Sequence, residues 1–189
     1  MEDQTSEHLE HAEHAEHAAH EGNSFITTVS VTIAIIAVIA ATVGSLETVE
    51  SGKAINEKNE AVLAQTKASD VYAYYQAKAV KQKMYEIAAD AGGAKAAEYT
   101  ANAKKYDGDG KKLVDEAKEL EKKRDEKLEQ ADRHEERHHI LTAGVTLLHV
   151  AIAVATIAII TKGSRWPWLL SIAMTVVGVV VSAYAYIGH

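Results

Sequence analysis

Three runs of the chain are apolar enough and long enough to cross a bilayer, which takes about 20 helical residues. They are residues 25–46 (FITTVSVTIAIIAVIAATVGSL), 140–161 (ILTAGVTLLHVAIAVATIAIIT) and 166–187 (WPWLLSIAMTVVGVVVSAYAYI), and none contains Asp, Glu, Lys or Arg. Trp166 and Trp168 stand at one end of the third run and Tyr184 and Tyr186 at the other, the positions of interfacial aromatic belts. Pro167 suits a first helical turn, where its missing N–H costs nothing. The first run follows a 24-residue tail with seven carboxylates and no Lys or Arg. A cleaved signal peptide needs a basic leading segment, so the expectation is a retained span.

Between the first and second runs, residues 47–139 carry 18 basic and 20 acidic side chains and are rich in Ala, Glu and Lys, the composition of long helices. The best turn signal is Ala91–Ala94 (AGGA). It divides the block into arms of 44 and 46 residues, counted from Glu47 to Asp90 and from Ala94 to His139. Arms of such similar length predict an antiparallel, coiled-coil-like helical hairpin with its tip at Gly92–Gly93. Each arm would be roughly 65 Å long at 1.5 Å per residue. Asp107–Gly110 (DGDG) predicts a break in the returning arm and a helix cap. As a calcium loop it fails, because Lys111 and Lys118 occupy the fifth and twelfth positions.

The expected fold is therefore all-α. It comprises a tail (1–24), three transmembrane helices (25–46, 140–161, 166–187), an extramembrane hairpin (47–139) and a short turn (162–165). Eight Lys or Arg flank the hairpin side of the spans, in residues 47–66 and 120–139, against Lys162 and Arg165 on the other side. Positive-inside counting leans towards a cytoplasmic hairpin.

Candidate chemistry adds four patterns. His134-Glu135-Glu136-Arg137-His138 spells H-E-x-x-H, which on a helix places two imidazoles on one face for zinc. A catalytic zinc needs a third ligand, and no Asp or Glu follows Glu136. The expectation is a chance match in a charged helix end, with a weak structural metal site on His134 and His138 left open. The tail carries His8, His11, His14, His17 and His20 at a spacing of three, candidates for metal binding or pH response. His149 lies near the centre of the second span. An ionisable group there is a candidate haem ligand, proton relay or interhelical hydrogen-bond donor; with no acidic partner in any span, the last is preferred. Small residues four apart (Ala37 and Ala41, Ala40 and Gly44, Ala151 and Ala155, Gly178 and Ser182) would let helices approach closely.

On the arms, Leu113, Ala117, Leu120, Leu128 and Ala131 form a narrow apolar stripe, interrupted by Arg124. Tyr74, Lys78, Lys81 and Tyr85 share another, read as tyrosines in a hairpin seam with lysines at its edge. So narrow a stripe buries little, so the hairpin is expected to gain stability against copies of itself or a partner.

Tyr72, Ala73, Tyr74, Tyr75, Gln76, Ala77 and Lys78, with Lys81 and Tyr85, resemble the Trp/Tyr-Ala-Tyr-Tyr-Gln-Ala-Lys signature of a bacterial family of small three-span membrane proteins of unknown function. The resemblance covers most of residues 25–187 and implies architecture and a bacterial inner-membrane location, not an activity. Together these readings predict a non-enzymatic membrane scaffold or accessory subunit, a homo-oligomer or part of a larger complex, with no cofactor and no nucleic-acid partner. The alternatives are a metal- or pH-responsive membrane protein and, behind it, a membrane zinc peptidase.

Overall fold

The computed structural model describes residues 24–161 and 165–187. They form three helices and no strand: α1 (Ser24–Asp90), α2 (Ala96–Ile160) and α3 (Arg165–Ile187). Each is long and apolar enough, over part of its length, to cross a membrane. Contacts divide the described residues into two compact units, one drawn from the segments before Ala54 and after Asp132 and one of Ala54–Asp132.

The first unit is a three-helix bundle. Its core is a heptad-like series on α1 (Val29, Ile33, Ile36, Ala40, Val43) facing Leu141, Val145, Leu148, Ile152 and Ala155 on α2. Steps of four and three keep one face of each helix turned to its neighbour. From α3, beyond Pro167 in the first turn, the buried residues are small: Ser171, Gly178, Ser182 and Ala185. They bring the backbones of α2 and α3 close, so a Cβ placed on Gly178 would sit 3.2 Å from the Gly144 carbonyl oxygen. Ala151 and Ala155 are fully buried and Ala40 nearly so, whereas Ala41 is exposed. Phe25 meets Trp168 edge-on at 6.0 Å, and the Trp168 indole N–H donates to Thr32 Oγ1 at 3.2 Å. The outward side chains of the bundle are apolar, with Ile35, Val38, Val150, Leu169, Val176 and Val180 all exposed.

The second unit is a two-helix hairpin. Its α1 and α2 segments run antiparallel, since Glu57 pairs with Lys127 and Lys78 with Asp109. They are joined at Ala91–Lys95, where Gly92 and Gly93 take φ of 77° and 101°, a left-handed region that an L side chain enters only at a cost. The seam is lined by alanines: Ala54, Ala61, Ala64 and Ala68 from α1 and Ala103, Ala117 and Ala131 from α2 are buried. Such a seam buries little apolar area, and polar side chains complete it. Lys127 reaches Glu57 and Glu60, each at 2.8 Å. Arg124 donates to Gln65, and Tyr72 to Glu121 at 3.3 Å.

Three expectations change here. The break at Asp107–Gly110 does not occur, because α2 runs through it. Gly110 is a packing glycine: it is buried in the seam, and a Cβ there would lie 3.1 Å from the Tyr75 ring. Asp107 and Asp109 are held in the helix by Lys111 and Lys78, each at 2.8 Å. Arg124 does not interrupt the stripe but belongs to it; Leu128 is the residue that leaves it, 41% exposed. Leu113 and Leu120 stay half-buried at its margin.

Candidate functional site: a buried carboxylate in the three-helix bundle

Glu50 is 2% exposed and is the charged residue buried most deeply among those described. A carboxylate out of water needs hydrogen bonds and opposite charge, and its surroundings supply both. His134 Nδ1 lies 2.6 Å from Oε2 and Lys53 Nζ 3.1 Å from Oε1. Tyr186, on α3, also interacts with it. Burial pushes the Glu50 pKa up, but the His134 and Lys53 hydrogen bonds and charges outweigh it, so the group is held below the ordinary carboxylate value. An ionised carboxylate only accepts, so the Nδ1 nitrogen of His134 carries the proton and donates. One turn along α2, Arg137 places its guanidinium 5.7 Å from the centre of the Tyr186 ring.

Glu47 forms a second, wetter layer. Its Oε1 accepts from the Thr142 hydroxyl at 2.6 Å and lies 3.8 Å from His138 Nδ1, beyond hydrogen-bond reach. The H-E-x-x-H spacing does put His134 and His138 on one face of α2, as helical geometry requires. What meets that face is Glu47 and Glu50 of α1, three residues apart. Among the described residues, no group of three or more His, Cys, Asp or Glu is placed to hold a metal ion. The sequence reading missed Glu47 and Glu50. A signal existed: both sit just beyond the first apolar run, at the step that continues its buried series from Val43.

The remaining candidates are dispersed. His149 is half-buried on α2 in the bundle. His8, His11, His14, His17 and His20 lie outside the described residues. In the hairpin, Tyr85 is half-buried and stacks on Tyr106 at 5.7 Å and tilts against Tyr99 at 6.0 Å. Lys78 and Tyr85 are the members of the predicted stripe that meet α2, Lys78 through Asp109, while Tyr74 is 56% exposed and Lys81 is exposed. Tyr72 and Tyr75, which the predicted stripe leaves out, also face α2. The hairpin's grooves are open to the surface, and the one bordered by Tyr75, Gln82, Tyr106 and Lys118 holds about 460 Å³.

Residues 25–188 match the family described as Domain of unknown function (DUF4337). The chain belongs to that family. The DUF4337 match begins at the first residue of the first apolar run and takes in the buried-carboxylate site and the hairpin alike. The histidine-rich tail of this DUF4337 protein falls outside it. No curated protein and no solved structure matches the chain.

Proposed function

We propose that this DUF4337 protein is a non-enzymatic scaffold or accessory subunit of a bacterial inner membrane, anchored by three spans and carrying its hairpin in the cytoplasm. One observation carries the reading: the hairpin is inside out for a free-standing soluble unit. Its seam holds alanines and ion pairs, while Ile55, Val62, Leu63, Val80, Met84 and Ile87 point outward, each 53–69% exposed. Large aliphatic side chains left in water across one face mark a surface that another macromolecule covers. The apolar exterior of the bundle supports the anchor, because the same arrangement in lipid costs nothing. The lack of any Asp or Glu after Glu136 to serve as a third ligand argues against zinc catalysis.

Mass measurement of the full-length protein in mild detergent tests the proposal. The expected result is a multiple of the 20.4 kDa chain mass, or a fixed complex with a second protein. A strictly monomeric, partner-free protein would overturn it.

A further inference from the structure

The outward aliphatics of α1 are not scattered. Ile55, Val62, Val80, Met84 and Ile87 fall on one line when the helix is advanced by threes and fours, and the exposed positions between them on that line are Asn59, Thr66, Ser69, Ala73 and Ala77. The line lies on the side of α1 turned away from α2, and from Ile55 to Ile87 it contains no charged residue. This is unusual for the hairpin. The exposed positions of its α2 segment include Lys104, Lys105, Lys111, Lys112, Lys118 and Lys122.

We infer that this face is a homotypic interface on which α1 of one chain packs against α1 of a second copy, parallel and in register. The inference rests on the scaffold reading and names its partner. Three features select a second copy. In a two-fold pairing every residue on the axis meets itself, so any charge on the line would face its own like charge; the line has none. Its order of sizes is large, small, large, so the middle, at Ser69 and Ala73, lets two helices approach while the ends fill the space on either side. The five aliphatic side chains expose on the order of 600 Å² per copy, close to the roughly 800 Å² per partner of a stable interface. Packing alone does not choose the direction, because the sizes read nearly the same from either end: Ile55 corresponds to Ile87 and Val62 to Val80. The first span chooses it. Two copies inserted the same way through that span present residues 55–87 in the same chain direction, and co-insertion raises the effective concentration of one face for the other.

The chain has no cysteine, so single cysteines test the geometry directly in the full-length protein. In mild detergent or native membranes, Val62→Cys should oxidise to a disulfide-linked dimer, and Lys104→Cys, on the charged face of α2, should not. An antiparallel pair would hold the two Val62 positions roughly 27 Å apart, 18 residues at 1.5 Å each, so Val62→Cys would crosslink with Val80→Cys but not with itself; that result overturns the parallel register. A stable multiple of the chain mass with neither crosslink overturns the interface and leaves the scaffold reading standing, whereas a monomer removes both. Val80→Lys offers a second readout: its position is already exposed, so helix content should hold while the dimer weakens by on the order of a hundredfold or more, from like charges placed face to face. An unchanged dimer in that variant also overturns the interface.

Discussion

His134 donates from Nδ1 to Glu50 Oε2 at 2.6 Å, across two helices and 84 residues of chain. The contact gives an H-E-x-x-H histidine a structural partner and gives a buried carboxylate the donor it needs. Because the Glu50 pKa is depressed in the folded protein, its contribution to stability is fully present above the ordinary carboxylate value of 4.5 and is lost as pH falls below it through the depressed value. Glu50→Gln keeps the size but removes the charge that Lys53 and His134 share. It should cost about 2–3 kcal/mol at neutral pH, less than for a fully enclosed pair because half of the Lys53 side chain is exposed. Thermal unfolding in detergent from pH 7 to 3 checks both points. The wild type should lose more stability through the acidic range than Glu50→Gln, and parallel losses would refute the assignment.

Gly144 is expected to tolerate no side chain. A Cβ there would collide with the Ser182 hydroxyl and lie 3.1 Å from the Gly178 carbonyl oxygen. Turning Ser182 aside would break its own bond to that oxygen, made at 2.8 Å. Gly144→Ala should therefore lower stability by about 1–3 kcal/mol through overpacking. Gly44→Ala is the control, since nothing lies within 4 Å of a Cβ there and helix propensity slightly favours alanine. Equal melting temperatures for the two variants would show that α2 and α3 are not in close contact at Gly144.

In the hairpin, residue size alone misranks two positions. Leu128 is 41% exposed and Ala117 is fully buried. Leu128→Ser should change hairpin stability by no more than about 0.5 kcal/mol, the range of an ordinary surface substitution. Ala117→Leu should cost about 1–3 kcal/mol, because the alanine seam has no room for the added atoms. Helix content followed by circular dichroism on heating would separate them, and a larger loss from Leu128→Ser would place the seam on the wrong face of α2.

What the sequence revealed, and what it concealed, follows from how each feature is encoded. Apolar runs without charge announce three helices of spanning length, because composition alone carries that information. Seam register is harder to read. In an alanine-lined hairpin the buried positions are the small residues, so a search for large apolar side chains settles on Leu128 and Tyr74, which face outward. Gly110 misled for a related reason: beside Asp107, Gly108 and Asp109 it has the local chemistry of a turn, and its actual role as space for the Tyr75 ring depends on a residue 35 positions away. Glu50 was legible only as the continuation of a periodicity that had just changed from apolar to charged. The His134 motif was seen, but its partner lies on the other helix, where spacing along one helix cannot reach.

The Glu50–His134 contact also bears on how the chain is made. Synthesis proceeds at about 5–20 residues per second, so His134 is added on the order of 4–17 seconds after Glu50. Through that interval the carboxylate stands just beyond the first apolar run without its partner from α2. Lys53, three residues on in the same helix and made almost at once, is within reach from the beginning, 3.1 Å away in the finished protein. The order of manufacture thus sets a local partner first and a distant one later. Docking of α2 then brings His134 onto Glu50, and α3, made later still, adds Tyr186 beside it.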